Sequence, residues 1–188
     1  MLAATAVVAA VVFYGNRQAE QKKAGIFNYL RPVPSDSVLR STLKADQYHV
    51  ARENGTETAF SNEYWDNQRA GIYVDVITRD PLFSSTDKFD GGTGRPTFTK
   101  PISPDRVFEQ SDTTFGMQRT EVRATKSNSH LGHVFADPTS PTGRRYAVNS
   151  AALQFIPLEK MEVEGYGKFL SLFRNVASTS PQPGAETR

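Results

Sequence analysis

The 188-residue chain, 38% hydrophobic, is long enough to bury one sizeable core and short for two, so it reads as one domain with appendages. A net charge of +2 is too near balance to imply nucleic acid, and no RNA- or DNA-binding pattern occurs. The chain contains no cysteine, which excludes disulfides, thiolate metal ligands and thiol redox chemistry and leaves its compartment open.

Residues Leu2 to Tyr14 form the one strongly apolar run. As a helix rising about 1.5 Å per residue it covers roughly 20 Å, against about 30 Å for the hydrocarbon core of a bilayer. Three readings stay open. A membrane anchor, the leading one, sets Phe13 and Tyr14 at the interface with Arg17, Lys22 and Lys23 beyond. A secretory signal lacks a preceding Lys or Arg and has a poor cleavage site. The third is a buried or frayed helix, or a start inside a longer span. The anchor implies a membrane-anchored protein with its main domain outside the cytoplasm; the basic residues after the run favour the cytoplasmic face instead.

From Gly15 the chain is polar, helical to about Gly25, and then apolar at Ile26, Phe27, Tyr29 and Leu30. Arg31 to Pro34 is a stiff extended link, because each proline fixes its own φ and restrains the residue before it. Ser35 caps a short helix through about Leu43, with Val38, Leu39 and Leu43 facing inward. Phe60, Tyr64 and Trp65 are expected to pack over the core. Beyond Gly71, short apolar runs punctuated by turns argue for strands: Ile72 to Ile77, Leu82 and Phe83 after the Arg79 to Pro81 turn, and Phe115 to Arg123. Gly91 to Gly94 is glycine-rich but lacks the following Lys-Ser/Thr and the βαβ context of a phosphate cradle. After Pro157, Phe169, Leu170, Leu172 and Phe173 lie on an extension; together with Phe27 and Tyr29 they are expected to bury in a neighbour. The tail from Ala177 has a disordered composition. The division is residues 1–16, anchor; 17–42, linker and short helix; 43–157, main domain; 158–176, extension; 177–188, tail.

Several motifs fall inside the main domain: G-T-E at Gly55 to Glu57, K-F-D-G-G-T-G-R-P-T-F at Lys88 to Phe98, H-L-G-H-V-F at His130 to Phe135, and R-Y-A-V-N-S-A-A-L-Q-F at Arg145 to Phe155. Together, over Leu43 to Pro157, they resemble the methionine-R-sulfoxide reductases. The resemblance implies a mostly β fold, two small antiparallel sheets forming a curved tent with short N-terminal helices.

In that family a cysteine thiolate attacks the sulfoxide sulfur, becomes a sulfenic acid and is recycled through a second thiol. The matching positions here are Ala147 and Thr93, and the tryptophan that cradles the substrate methyl group is Arg95. Ser150 has no accessible oxidation step of this kind. Positions where many members carry two zinc-binding Cys-x-x-Cys pairs hold Asp75, Thr78, Ala124 and Ser127, so neither a metal nor another cofactor is expected.

The resemblance leaves His130, His133, Arg145 and Asn149, with Arg95 added, as a polar cleft. One reading makes it a site for a carboxylate of a partner protein. The plainer one has both histidines hydrogen-bonding within the fold and Arg95 in solvent. The functional expectation is a catalytically inactive accessory or structural subunit of a membrane protein complex, with a respiratory or photosynthetic host. The alternative is a peptide-methionine (R)-S-oxide reductase in cysteine-to-alanine form. A reader of methionine sulfoxide is disfavoured, because a guanidinium walls a methyl group poorly.

Overall fold

A computed structural model describes residues 27–174. Two antiparallel sheets carry the fold. The smaller has strand order β2-β1-β9, from β1 (Gly71–Asp75), β2 (Pro81–Ser84) and β9 (Leu153–Pro157). The larger has order β3-β4-β8-β7-β6-β5. Its strands are β3 (Lys88–Phe89), β4 (Thr97–Phe98), β5 (Val107–Asp112), β6 (Arg119–Ala124), β7 (His130–Ala136) and β8 (Arg144–Val148). Two short helices, α1 (Asp36–Thr42) and α2 (Ala45–Glu53), precede the sheets. The mostly β architecture with short N-terminal helices is the expected one.

Alternation explains how the layers meet. Successive side chains of a strand point to opposite faces. In the small sheet, Tyr73, Leu153 and Phe155 join Phe83, Phe98, Val122, Val134 and Tyr146 between the sheets. Ile72, Val74 and Ile156 face the other way, into a second cluster with Met161, Tyr166 and Phe173. The C-terminal extension is therefore the cover of the small sheet's back. The N-terminal strap completes it: Phe27 stacks on Tyr166 with ring centroids 4.9 Å apart, and its N–H donates to the Glu164 carbonyl at 2.9 Å.

Three expectations are corrected here. The appendage aromatics turn back onto their own sheet: Phe27, Phe169 and Phe173 pack around Met161 and Tyr166 instead of waiting for a neighbour. In α1 only Leu39 is buried while Val38 is 45% exposed, because a seven-residue helix, about two turns, offers the core a narrow stripe. Tyr64 enters the core, but Phe60 stays 58% exposed, its ring edge-on to Trp65 and beside Gly94.

The membrane-anchored localisation is also corrected. Among the described residues no helix is long and apolar enough to cross a membrane. The run from Leu2 to Tyr14, which carried that expectation, lies outside the described residues, as does the tail from Ala177. Physically, the 13-residue run was already roughly 10 Å short of a hydrocarbon core. Among the described residues nothing supports membrane anchoring or a bilayer partner.

Candidate functional site

Register across the large sheet places the motif residues. Thr97 of β4 pairs with Ala147 of β8, Ala147 with His133 of β7, His133 with Glu121 of β6, and Glu121 with Gln110 of β5. These five residues form one row on the face opposite the core. The adjoining row, Phe98, Tyr146, Val134 and Thr120, begins with three core residues.

Two histidines three apart on a regular strand would point to opposite faces. The ladder shifts between Val122 and Arg123, so that β7 spends one extra residue, Leu131, which turns into the core at 0% exposure. This bulge returns His130 to the face of His133, with ring centroids 5.7 Å apart. Gly132 sits between them at φ +154°, and a Cβ there would lie 2.2 Å from the Ala147 carbonyl oxygen. The glycine is needed for β7 and β8 to approach.

Each histidine has its own carboxylate. His130 Nδ1 is 2.5 Å from Glu121 Oε1, which also accepts from Arg123 Nη1 at 2.5 Å, while Glu121 Oε2 accepts from Gln110 at 2.5 Å. Arg123 continues to Asn54 Oδ1 at 2.8 Å. His133 Nε2 is 2.7 Å from Asp112 Oδ2, which also accepts from Arg119 Nη2 at 2.7 Å. Burial pulls the His130 imidazole below its ordinary pKa, more than the Glu121 carboxylate restores. A neutral ring with Nδ1–H toward Glu121 leaves the lone pair on Nε2, which is buried without a hydrogen-bond partner among the described residues. Burial pushes the Glu121 carboxyl up, but the hydrogen bonds of Gln110, His130 and Arg123 outweigh it and hold the group below its ordinary value. Hydrogen bonds from Thr114 and then His133 depress Asp112 strongly.

The histidines line a cleft of about 550 Å³ with Asn54, Asp112, Arg119 and Glu121. Arg145 lines another, of about 670 Å³, where Nη1 donates to the Gly91 carbonyl at 3.0 Å and Nε lies 3.6 Å from Asp137. Arg95 is half-buried, not in solvent, and its Nη2 donates to the Glu57 carbonyl at 2.9 Å. Asn149 is buried, donating to the Leu131 carbonyl at 3.1 Å. Thr93 Oγ1 lies 3.2 Å from Thr97 Oγ1, beside the row that holds Ala147. The five polar residues named from the sequence thus do not share one pocket: the histidines line one cleft and Arg145 another, Arg95 and Asn149 meet at Glu57, and both arginines reach internal acceptors. Such an arrangement rigidifies a sheet face better than it gathers an anion.

Two of the family's zinc positions are joined by hydrogen bonds instead. Asp75 Oδ2 accepts from Thr78 N and Oγ1 at 3.0 and 2.6 Å, while burial pushes its carboxyl up.

Sequence reasoning passed over Glu57, Asp112, Arg119, Glu121 and Arg123. Glu57 stood in a quoted motif without a role; its carboxylate accepts the N–H groups of Ser150 at 2.6 Å and Ala151 at 2.9 Å. For Arg119, Glu121 and Arg123 the signal was charge at alternate positions of β6, all on one face; Asp112, at the end of β5, left none.

Comparison with known proteins agrees with this geometry. The SelR domain family model matches residues 43–157. The "Peptide methionine sulfoxide reductase MsrA/MsrB" of Vibrio cholerae serotype O1 is 49% identical over 152 residues, which is 81% of this chain and 40% of that protein. The chain thus spans well under half the length of this relative. Its match over the whole main domain, with the paired histidines and Asn149 set around position 147, shows that the chain belongs to the SelR domain family, the methionine-R-sulfoxide reductases.

Proposed function

We propose that this protein is a reductase-type domain without thiol chemistry, acting as a non-catalytic accessory subunit of a larger protein assembly. The observation that carries the reading is Ala147. It occupies the position facing His133 in a chain of 188 residues with no cysteine, so no thiol is there to take up the sulfoxide's oxygen. Reduction of a sulfoxide to a thioether is a two-electron step, and the electrons must come from an atom that can itself be oxidised; an alanine methyl group cannot be. No metal and no other cofactor enters the proposal, and no nucleic acid is its partner. Incubation of the purified chain with dithiothreitol and a methionine-R-sulfoxide peptide tests the chemistry. Turnover should equal the protein-free control, and turnover above it would overturn the reading. The native mass of the protein isolated from its source tests the subunit role, which a free monomer would sink.

A second reading has one observation in its favour: His130, His133 and Asn149 keep their places around position 147. It treats the chain as a cysteine-to-alanine form of a peptide-methionine (R)-S-oxide reductase. A147C restoring dithiothreitol-dependent reduction would support it.

A further inference from the structure

Glu57 is held through its N–H, its carbonyl and its carboxylate by residues on either side of the pair Thr97 and Ala147. Its N–H meets Asn149 Oδ1 at 3.4 Å, its carbonyl accepts from Arg95 Nη2 at 2.9 Å, and its carboxylate takes the N–H groups of Ser150 and Ala151. The partners flank the two strands of one ladder: Arg95 comes just before β4, and Asn149, Ser150 and Ala151 come just after β8. Thr97 faces Ala147, and the pairing extends one step further through Val148 N–H to the Pro96 carbonyl at 3.0 Å. Arg95 and Asn149 lie just outside the two ends of this pairing, two residues before Thr97 and two after Ala147.

Residues next to Glu57 repeat the attachment. The Gly94 carbonyl accepts from Phe60 N at 2.8 Å and Asn62 Nδ2 at 2.7 Å, and Ser150 Oγ donates to Asn62 Oδ1 at 2.6 Å. Beneath this arrangement Ala147 retains 8% exposure. Arg95 differs from the other attachments in kind. Its long side chain has to reach across from the β4 side, and it buries Nε without a partner to do so. An arginine in solvent would incur no such cost.

We propose that Arg95 is a positioning residue, a latch that holds the Gly55 to Phe60 segment closed over position 147 through the Glu57 carbonyl. Closure excludes a peptide from the face where sulfoxide chemistry would occur, so the domain is shut as well as unarmed. The inference concerns the site of the proposed non-catalytic function and rests on that reading. Sulfoxide reduction by the parent chain would overturn the reading without altering the alkylation and exchange rates that test the latch.

Because the chain has no cysteine, A147C places a single reporter thiol at the covered position. Its alkylation by iodoacetamide should be slow in the folded protein compared with the same protein in denaturant. A147C/R95A should react about tenfold faster than A147C, the factor expected when one charge-assisted hydrogen bond leaves an opening equilibrium. A147C/R95K, which keeps a cationic donor, should fall back toward A147C. A147C/N149A, which cuts the other end of Glu57, should also accelerate. Amide exchange at Glu57 should rise in R95A and not in R95K, a readout independent of the introduced thiol. Labelling of A147C as fast as in denaturant would overturn the latch. So would an R95A variant, folded by circular dichroism, that left both the alkylation rate and the Glu57 exchange unchanged. If R95A does not fold, equal rates in A147C/N149A and A147C would overturn it.

Discussion

Arg79 joins the small sheet to its cover by a single side chain: Nη2 meets Glu164 Oε2 at 2.6 Å while Nη1 donates to Gln154 Oε1 of β9, also at 2.6 Å. Its own carbonyl accepts the Tyr166 hydroxyl at 2.9 Å. The pair is mostly shielded, so removing one partner strands a charge near the protein interior. R79A should cost about 1–3 kcal/mol in urea unfolding, below the range for a fully buried pair because some solvent screens it. A double-mutant cycle with E164Q should give a coupling near 1 kcal/mol. Additive effects would mean that the extension is held by packing alone.

Packing carries its own share. Phe173 and Met161 sit against Ile72, Val74 and Ile156, the apolar stripe on the back of the small sheet. F173A should destabilise by about 3–5 kcal/mol and M161A by about 2–5 kcal/mol, through lost transfer energy and the cavity left behind. Calorimetry or denaturant unfolding measures both. Values below about 0.5 kcal/mol for both would restore the idea that these residues await a neighbour.

Gly132 provides a sharper test of the site's architecture. A side chain there would press on the Ala147 carbonyl oxygen, and the nearest groups are backbone, which cannot swing aside. G132A should therefore lose about 3 kcal/mol or more by overpacking and should shift the His130 and His133 resonances, since the bulge between them would have to open. An unstrained, equally stable G132A would contradict the close approach of β7 to β8.

What could be read from the sequence and what could not divide along physical lines. The short apolar runs at Ile72 to Val74 and at Leu82 and Phe83, bounded by turn residues, revealed strands, because a strand buried on both faces reads as a continuous apolar run. β5 left none: V-F-E-Q-S-D is an edge strand with four exposed residues, so it was not foreseen. The Phe115 to Arg123 strand was drawn too long at its start, since Thr114 to Gly116 is a turn and β6 begins at Arg119. The N-terminal helical region continued past Leu43, because Gln47 accepts the Lys44 N–H and starts α2. At the site, the motif residues identified position 147 and its neighbours. The common face of His130 and His133 depends on a bulge, and the latch from Arg95 to Glu57 spans 38 residues of sequence. Neither leaves a local signature.

Titration of the His130 and Glu121 pair yields the last prediction. His130 has its folded pKa below the ordinary 6.5, so the unfolded chain binds more protons and stability falls as the pH drops below about 6.5. Glu121, held below its ordinary 4.5, adds stability above that value that is lost as the pH falls through its folded pKa. The two act in the same direction but in separate windows. Glu57 and Asp75, raised by burial, act oppositely, because their folded forms hold protons longer on the way up in pH. A difference measurement separates them: urea midpoints of the parent and of H130N between pH 7.5 and 5, a range chosen to bracket the ordinary histidine value by about one unit. The parent should lose more stability than H130N on acidification, with the divergence beginning near pH 6.5. Parallel curves would mean that His130 titrates alike in the folded and unfolded chain, and a parent that gained on H130N with acidification would mean a ring held charged in the fold, with its Nε2 a donor; either would overturn the neutral ring.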